Sequence, residues 1–521
     1  MSLFRRVPPE ERVPRPGRSQ LVRALGGGLI IVVLTAAATA TAGLLQVSNL
    51  VARISKQPHI SNEGITKAQA GSAQTILILG SDRRFSDLAK NNKFLRHNLP
   101  ARSDTIMLLR LDPNQTATSL LSLPRDLKVN IPGYGTDKIN AAYSDGGPTL
   151  TVKTIKALTG LQINHVVNIN FGGFRDVVNA IGCVYVDVDR RYYHSNAGLA
   201  VGARYAEINI QPGYQKLCGT DALNYVRYRH TDSDIVRASR QQAFLRQAKD
   251  QVDAGSLINK SGKLIDIFGK DTQTDAQLES TPGLLSILKL ALFSAGQPVR
   301  QLQFPANSTV ETLPGGAQID YETASQSAVH RTIHQFLHPP KAAPKQQLPT
   351  SARGAKRKHL AKPKHTSPSN IPGLVNAQRA GENLVANAVA SAHQPVPIYF
   401  PKYLTTFSRY DSPGIRVYTL HDRAAKLRHA YRIVVVANSL LGQYWGVEGS
   451  DWITPPLLQG THSFQRRHGR KLAIYKNGSH VNVIAWHSGK FVYWVSNTLS
   501  DLLPNRQMLE IASTLTRKFG G

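Results

Sequence analysis

Short hydrophobic runs alternate with longer amphipathic segments through the first two thirds of the chain. The short runs are bounded by glycine or polar residues, which is typical of buried strands; they lie at 75–79, 106–111, 118–123, 166–169 and 184–188. The longer segments have helical spacing; they lie at 139–158, 174–180 and 235–252. Strands alternating with covering helices predict an α/β fold, a three-layer α/β/α domain with a central mixed sheet, over residues 73–337.

Two of the predicted strands form a hairpin. The turn sequence 112–115, Asp-Pro-Asn-Gln, separates the runs 106–111 and 118–123, so antiparallel pairing is expected. Residues just before the first strand and just after the second then meet at one edge of the sheet. We expect the loop after run 75–79 and the start of the next helix to reach the same edge. The charged residues placed there are Asp82, Arg84, Arg102, Asp104, Arg125 and Lys138.

A second group of charges lies at 227–242, where four arginines and two aspartates stand between hydrophobic flanks. Arg227 and Arg229 alternate with a tyrosine at strand spacing. The others share one helix face; they are Arg237, Arg240 and Gln241. Guanidinium groups match phosphate oxygens bidentately, so the cluster suits a pyrophosphate, with a solvated, salt-bridged helix start as the alternative. The preceding segment 190–211 lacks a regular pattern and is interpreted as an irregular access loop.

Two carboxylates among these cations point to metal-assisted phosphoryl transfer. Mg²⁺ binds one or two protein carboxylates together with water and substrate phosphate, and arginines neutralise the charge that develops on a phosphate leaving group. Other chemistries lack their signatures. The sequence has no Walker-type loop, no His-Glu-x-x-His helix and no Gly-x-Ser-x-Gly elbow.

The N-terminal segment predicts export. Residues 24–47 are apolar or small and uncharged, long enough for a transmembrane helix. Residues 1–23 contain six arginines, so the positive-inside rule keeps this tail in the cytoplasm. Residues 48–72 would be a stalk, and everything beyond would lie outside a cell membrane crossed once. A cleaved signal peptide is the alternative, with the same exported domain.

The last third of the chain divides into a linker and a further folded region. Residues 338–370 contain no acidic residue and are rich in Pro, Lys, Arg and Ala, so we expect a disordered basic linker, either a solvated spacer or a segment held against anionic lipid or wall polymer. Residues 371–521 predict a small α+β domain, with strands at 431–437, 471–476, 481–486 and 491–495 and a helix at 505–519. All four tryptophans lie there, and core packing is favoured over glycan binding.

Composition limits the partners. The formal net charge is +30, which indicates attraction to polyanions. Nucleic acid is not expected, because there is no zinc-finger or RNA-binding signature and the domain is exported. The only cysteines, Cys183 and Cys218, either form a disulfide in an oxidising exterior or remain two buried thiols.

Six sequence blocks follow one another along residues 73–337. They are Gly80-Ser81-Asp82-x-Arg84, Arg102-Ser103-Asp104-Thr105, Pro124-Arg125-Asp126, Lys138-Ile139-Asn140-Ala141-Ala142-Tyr143, Tyr225-Val226-Arg227-Tyr228-Arg229 and Asp234-x-x-Arg237-x-x-Arg240-Gln241-Gln242. In this order the blocks closely resemble the LytR-CpsA-Psr family of cell-wall enzymes. A membrane anchor with an external catalytic domain fits that family as well.

The resemblance implies a Mg²⁺-dependent phosphotransferase, with Mn²⁺ as an alternative metal. Such enzymes move a glycopolymer from a polyprenyl-pyrophosphate carrier to peptidoglycan through a phosphodiester, with the lipid in an apolar groove. The implied metal ligands are Asp82 and Asp104. The implied pyrophosphate-binding set is Arg84, Arg102, Arg125, Lys138, Arg227, Arg229, Arg237, Arg240 and Gln241. The implied catalytic residues are Arg227, Arg229 and Asp234, the last orienting arginines or helping to activate the acceptor hydroxyl.

Two positions depart from the family pattern. Val236 stands where a glycine commonly precedes the arginine of the last block, and Cys183 stands where a second glycine is frequent. Two other functions stay open: a phosphohydrolase acting on the same lipids with water as acceptor, and a non-catalytic wall-binding or regulatory protein.

Overall fold

The computed structural model describes residues 59–81, 103–339, 371–391 and 395–518 and a few positions between 45 and 55, with gaps at 70, 116, 201–205, 229–231, 253–259, 295–296, 298, 313–315 and 440–441. Asp82, Arg84, Arg102 and Arg229, most of the predicted span 24–47 and nearly all of the predicted linker 338–370 lie outside these residues. Among the helices that can be described, none is long and apolar enough to cross a membrane.

The first region contains the predicted alternation of strands and helices. Its strands are β1 (Gln74–Ser81), β2 (Ser103–Leu111), β3 (Thr118–Leu123), β4 (Lys128–Ile131), β5 (Gly135–Lys138), β6 (His165–Asn170), β7 (Val184–Val188), β8 (Tyr192–His194), β9 (Ile208–Ile210), β10 (Gly213–Leu217), β11 (Thr272–Thr274), β12 (Val299–Gln303), β13 (Asn307–Thr312) and β14 (Gln318–Thr323). Its helices are α1 (Ile139–Thr159), α2 (Phe171–Ile181), α3 (Gly219–Arg227), α4 (Asp234–Gln251), α5 (Ser261–Asp271), α6 (Thr281–Ser294) and α7 (Gln326–Leu337).

The central sheet is mixed, as predicted. Its described strands have the order β11-β6-β1-β2-β3-β12. The pairs β1–β2 and β2–β3 are antiparallel, whereas β1–β6 and β3–β12 are parallel. Alternate apolar side chains face opposite layers: Leu77 and Leu108 pack in the core cluster with Ile155 of α1, while Ile76 on the other face packs with Leu290 of α6. Helices therefore cover both faces of an α/β sheet.

Two expectations for this region are wrong. Segment 190–211 is not wholly irregular, because β8 and β9 pair through Tyr192↔Ile210 and His194↔Ile208. Arg227 is not in a strand. It is the last residue of α3, whose buried residues Ala222 and Tyr225 are spaced three apart along one helix face.

A disulfide joins Cys183 and Cys218, whose Cα atoms are 4.5 Å apart. It ties the residue before β7 to the residue before α3, the helix that ends at Arg227. Cys183 has a φ of 67°, the left-handed region that glycine adopts without steric cost. Cys183 is therefore held in a strained backbone conformation that a glycine would adopt more easily.

The C-terminal region is mostly sheet, so the expected α+β composition holds only in part. Its strands are β15 (Leu374–Asn376), β16 (Ile398–Phe400), β17 (Tyr403–Thr405), β18 (Arg409–His421), β19 (Leu427–Asn438), β20 (Gln443–Ser450), β21 (Ser463–Arg467), β22 (Arg470–Asn477), β23 (His480–Ser488), β24 (Phe491–Ser496) and β25 (Thr516–Lys518), and its helices are α8 (Gln378–Ser391) and α9 (Asn505–Thr514). An antiparallel sheet has the order β18-β19-β20-β24-β23-β22-β21. The predicted last helix ends at Thr514, and β25 follows because residues 516–518 pair with β16.

The tryptophans are core residues, and two of them join the C-terminal sheet to the first region. Trp452 and Trp494 lie in one buried cluster with Tyr185 of β7 and Tyr214 of β10. The ring of Tyr214 meets Trp494 edge-on with centroids 5.8 Å apart. Aromatic pairs of this kind add to the gain from burial alone.

A buried charged network crosses the same junction. The Arg432 guanidinium donates to the Asp187 carboxylate at 2.9 Å and lies 3.6 Å from Glu448. The Tyr418 hydroxyl donates to Glu448, which has no exposed surface. Burial, reinforced by the nearby Asp187 charge, raises the pKa of Glu448 to about 8, although Arg432 and Tyr418 oppose the shift.

The raised pKa makes the stability of the protein depend on pH. An unfolded Glu448 has a pKa of 4.5, so between pH 4.5 and about 8 the folded protein binds more protons. The free energy of unfolding therefore falls as pH rises through this window, by roughly 1.4 kcal/mol per pH unit at most. We expect Glu448→Gln to remove this slope in urea unfolding measured from pH 5 to pH 8.

The matched control is Glu63→Gln, because the Glu63 side chain is 64% exposed. An exposed ion pair contributes little to stability, so this variant should keep the wild-type slope. Identical slopes for Glu448→Gln and the wild type would contradict the burial of a protonated Glu448.

Candidate active site

The predicted sheet edge exists, and Asp104 stands on it. Asp104 is the second residue of β2, and β3 ends beside it because Ile106 pairs with Leu123. Ser81, the last residue of β1, pairs with Ser103. The ends of the three central strands therefore meet where the sequence places its acids and bases.

Asp104 is bound by two arginines from different segments. Arg125 Nη1 donates to Oδ1 of Asp104 at 2.5 Å, and Arg227 Nη2 donates to Oδ2 at 3.3 Å. Burial by itself would raise the pKa of Asp104, but Arg125, Arg227 and the nearby Arg237 together outweigh it and hold this pKa below its usual value. Asp104 is therefore an ionised carboxylate near neutral pH.

A pair of carboxylates lies behind this ion pair. The backbone N–H of Asp126 donates to Asp234 Oδ2 at 3.3 Å, and Arg237 Nη2 lies 3.0 Å from the same oxygen. Lys138 Nζ is 3.2 Å from Asp126 Oδ1. Burial and the adjacent Asp234 charge raise the pKa of Asp126. The pKa values of Asp126 and Asp104 are thus shifted in opposite directions, because their surroundings differ.

Helix α4 presents the predicted face to this cluster. Its N-cap, Ser233, accepts from Val236 N, and Asp234 occupies the first turn. Arg237 follows Asp234 by one turn. Gln241, one turn further, donates to Thr105 Oγ1 at 3.0 Å and to Val226 O at 3.2 Å. The helical spacing therefore brings Arg237 and Gln241 to this cluster, whereas Arg240, predicted on the same face, does not contact it.

Arg240 lies in a separate, buried network. Its guanidinium donates to Asp232 Oδ2 at 2.5 Å and to the Tyr228 carbonyl, and Arg190 pairs with the other oxygen of Asp232. The rings of Tyr192 and Tyr228 also contact it, at 4.7 and 5.8 Å from their centroids. With no exposed surface, Arg240 supports the start of α4 from inside the protein.

Arg227 is open to solvent. Its side chain is 38% exposed, against 11% for Arg125 and 4% for Arg237. The guanidinium lies 3.8 Å from the centroid of Phe171, which holds it in place through a cation–π contact. Among the described arginines of the site, Arg227 is the one best placed to meet an anion from outside.

Several residues of the site were not assigned from the sequence. Asp126 belongs to the block Pro124-Arg125-Asp126, and its position directly after Arg125 is a signal for its place in the site. Asp232 lies within the noted arginine stretch. Arg190 and Phe171 carried no signal, because they are distant in sequence from their partners.

Asp104 fits the donor chemistry expected of a magnesium ligand. It is ionised, its side chain is 16% exposed, and each carboxylate oxygen can accept from more than one partner. Within the described residues no group of three His, Cys, Asp or Glu side chains could hold a metal ion. The other predicted ligand, Asp82, lies outside those residues.

Comparison with known proteins decides the family. The model of the LytR_cpsA_psr family matches residues 39–335, more than half of the chain. The chain belongs to the LytR_cpsA_psr family. The matched range ends within α7, so the C-terminal sheet lies beyond it.

Individual relatives are named as teichoic acid transferases. The chain is 35% identical over 222 residues to polyisoprenyl-teichoic acid–peptidoglycan teichoic acid transferase TagU of Oceanobacillus iheyensis, a match that covers 41% of this chain and 62% of TagU. It is 29% identical over 280 residues to TagT of Bacillus subtilis, covering 51% and 81%. A solved structure of TagT with bound octaprenyl pyrophosphate lipid is similar at 26% identity and a TM-score of 0.36, covering 52% of this chain and 92% of that one.

The C-terminal region of this LytR_cpsA_psr protein contacts the Arg240 network. The ring of Tyr444 lies 5.1 Å from the Arg190 guanidinium. A Cβ added to Gly442, in the turn before β20, would lie 2.6 Å from Asp232 Oδ1. Ser500 hydrogen-bonds to Ser239 of α4. The C-terminal sheet therefore packs against the residues that position α4.

A matched pair of glycines tests this contact. Gly442 and Gly478 have φ angles of +62° and +60°, but a Cβ at Gly478 meets nothing within 4 Å. Both alanine variants take on similar backbone strain, of about 1 kcal/mol, and only Gly442→Ala displaces Asp232. We expect Gly442→Ala to weaken the binding of inorganic pyrophosphate several-fold more than Gly478→Ala, as measured by calorimetry. Equal affinities of the two variants would show that the contact does not position the site.

Proposed function

We propose that the protein is a membrane-anchored, extracytoplasmic phosphotransferase. It moves a glycopolymer from a polyprenyl-pyrophosphate carrier to peptidoglycan and forms a phosphodiester. Membership of the LytR_cpsA_psr family and similarity to proteins named as teichoic acid transferases support this proposal. The predicted apolar span 24–47, preceded by a basic tail, supports the location.

The observation that carries the proposal is the ionised Asp104 between Arg125 and the exposed Arg227. Guanidinium groups at the end of a sheet supply what a diphosphate ester needs, which is neutralisation of its negative charge with fixed geometry. The ionised carboxylate can hold a metal ion that adds to this positive charge. Arg227 would bind the pyrophosphate on the solvent-exposed side of the site. Arg125 would stay in place, because three carboxylates lie within 3.8 Å of its guanidinium. Arg237, buried against Asp234, would keep that side of the site rigid.

The reaction forms one P–O bond and breaks another. A peptidoglycan hydroxyl attacks the phosphorus that bears the glycopolymer, the bond to the bridging oxygen breaks, polyprenyl phosphate leaves, and the proton of the hydroxyl is released. We assign Asp234 to orienting the arginines, because it is 3% exposed and paired with Arg237. We assign Arg240 to supporting α4 rather than to phosphate contact.

We further propose Mg²⁺, held by Asp104 and Asp82, as the resident metal, with Mn²⁺ as a substitute. When bound, the ion would neutralise the phosphate oxygens and lower the repulsion that an attacking oxygen meets. The remaining predicted pyrophosphate ligands, Arg84, Arg102, Lys138, Arg229 and Gln241, stay predictions.

Asp104→Asn and Arg227→Ala test the proposal. The first removes the ionised carboxylate and the second the exposed guanidinium, so each should lower transfer of a lipid-pyrophosphate donor to peptidoglycan by about 100-fold or more. Lys153→Ala is the control, since this helix lysine pairs only with Glu63 among the described residues and lies outside the site. The product is quantified as radiolabelled polymer on peptidoglycan.

The same assay separates the two other functions. Release of polyprenyl phosphate at full rate without peptidoglycan would indicate a phosphohydrolase. Unchanged transfer in both site variants would refute the assignment of the active site to Asp104 and Arg227. Absence of transfer by the wild-type protein would favour a wall-binding protein.

A further inference from the structure

The hairpin formed by β21 and β22 carries a charged surface that the active site does not use. β21 is the edge strand of the C-terminal sheet, and one side of the hairpin displays cations and aromatic rings. We call this surface the basic hairpin face. Its members are His462, Phe464, Arg466, Lys471 and Tyr475.

The two cations of the basic hairpin face lie opposite each other. Arg466 pairs with Lys471 across the two strands, and both are exposed. Like charges in directly opposed positions destabilise a hairpin. Neither forms an ion pair with any described residue. The arrangement costs stability unless an anion binds between or across the two side chains.

Two neighbouring cations of the same hairpin, in contrast, have partners within the protein. Arg467, on the opposite side, lies 3.5 Å from Glu510. Arg470 donates to the carbonyls of Ala512 and Leu515 at the end of α9. The cations on the inner side of the hairpin therefore have protein partners, whereas Arg466 and Lys471 on the outer side face solvent.

Aromatic rings continue the surface along the sheet. Phe464 is 58% exposed, and the Lys471 ammonium lies 4.1 Å from its centroid. The ring of His462 lies between Phe464 and Tyr475, with centroids 4.8 and 4.9 Å away. Rings in a row on a flat strand surface, beside cations, suit a ligand that is both extended and anionic.

The sequence around the hairpin strengthens its positive potential. From Trp452 to Ser500 the chain contains six lysines and arginines and no acidic residue. An excess of cations raises the local concentration of polyanions. The other cations of the segment therefore add to the positive charge of Arg466 and Lys471.

We propose that the basic hairpin face binds an anionic glycopolymer, a sugar chain bearing phosphate or carboxylate groups, at a distance from the active site. This inference rests on the proposed function, since such a polymer is the cargo of the transfer reaction. Arg466 and Lys471 would bind the anionic groups, and Phe464 would stack against a sugar ring. A membrane surface is less suited, because Phe464 is the only large apolar side chain of the face that is exposed enough to insert.

The hairpin is joined to the catalytic sheet, so polymer held there stays with the enzyme. Asn477, at the end of β22, donates to Gln301 of β12 at 3.3 Å. Asn482 of β23 accepts from Arg246 of α4 at 3.2 Å. A second contact on one polymer raises the effective concentration of the donor at the site. Long donors should therefore benefit and short ones should not.

Binding of purified poly(glycerol phosphate) to the full-length chain in detergent tests the inference. Arg466→Glu/Lys471→Glu should raise the Kd by about tenfold or more, as expected when two charge-assisted contacts are lost. The control is Arg409→Glu/Lys426→Glu, which makes the same charge change at two exposed positions at the opposite side of the sheet, one in the edge strand β18 and one in the turn after it. Phe464→Ala should weaken binding by a smaller factor and leave its salt dependence unchanged.

The outcomes are separable from those of the transfer assay, because polymer binding needs neither donor lipid nor turnover. Loss of binding in the hairpin variant but not in the control supports the inference even if no transfer is found. Equal losses in both double variants would overturn it. So would equally tight binding of neutral dextran, or retention on phosphatidylglycerol vesicles with no affinity for the polymer.

Discussion

Pairing of buried charges is the constraint on which the site depends. Helix α4 turns Asp234, Arg237 and Arg240 inwards, each 5% exposed or less. A buried charge without a partner is expensive, so each must meet an opposite charge or a hydrogen-bond acceptor. Arg125, in the loop after β3, lies beside Asp234, and Asp232, in the segment before α4, pairs with Arg240. Arg237 pairs with Asp234 within α4 itself. Packing α4 correctly therefore assembles the whole cluster at once.

The cluster divides into an outer and an inner part. Asp104 and Arg227 form the outer part, partly open to solvent, where a ligand can replace or extend their mutual contact. Asp232, Arg190 and Arg240 form the inner part, closed by the C-terminal turn at Gly442. The inner part contributes rigidity, which phosphoryl transfer needs because positioning and fixed charge supply most of its catalysis. On this account the C-terminal sheet is a structural partner of the catalytic region.

Much of this arrangement followed from local sequence patterns. Apolar runs that end at Gly80 or at a turn predict the strands β1 to β3. The amphipathic spacing of 235–252 predicts α4, and the same spacing puts Arg237 and Gln241 one helical turn apart. The helical end of α3 was missed because Arg227 and Arg229 flank Tyr228 in a way that also fits a strand. An alternation over only three residues fits both a strand and the end of a helix, so it does not distinguish the two.

Contacts between residues far apart in the sequence could not be predicted from local patterns. Arg190 is 42 residues from Asp232, and Gly442 meets Asp232 from another region of the chain. The disulfide was left open, because two cysteines and a compartment do not establish that their Cα atoms approach each other. Likewise, the sequence placed Arg240 on the same helix face as Gln241 but could not show that Tyr192 and Asp232 enclose it.

The most direct test of the central claim is a crystal structure of the protein with a short-chain prenyl pyrophosphate and Mg²⁺. We expect phosphate oxygens within hydrogen-bonding distance of the Arg227 guanidinium and a metal in contact with the Asp104 carboxylate, with the Arg240–Asp232 pair unchanged. A pyrophosphate bound elsewhere, with Asp104 still paired only with Arg125 and Arg227, would contradict this expectation.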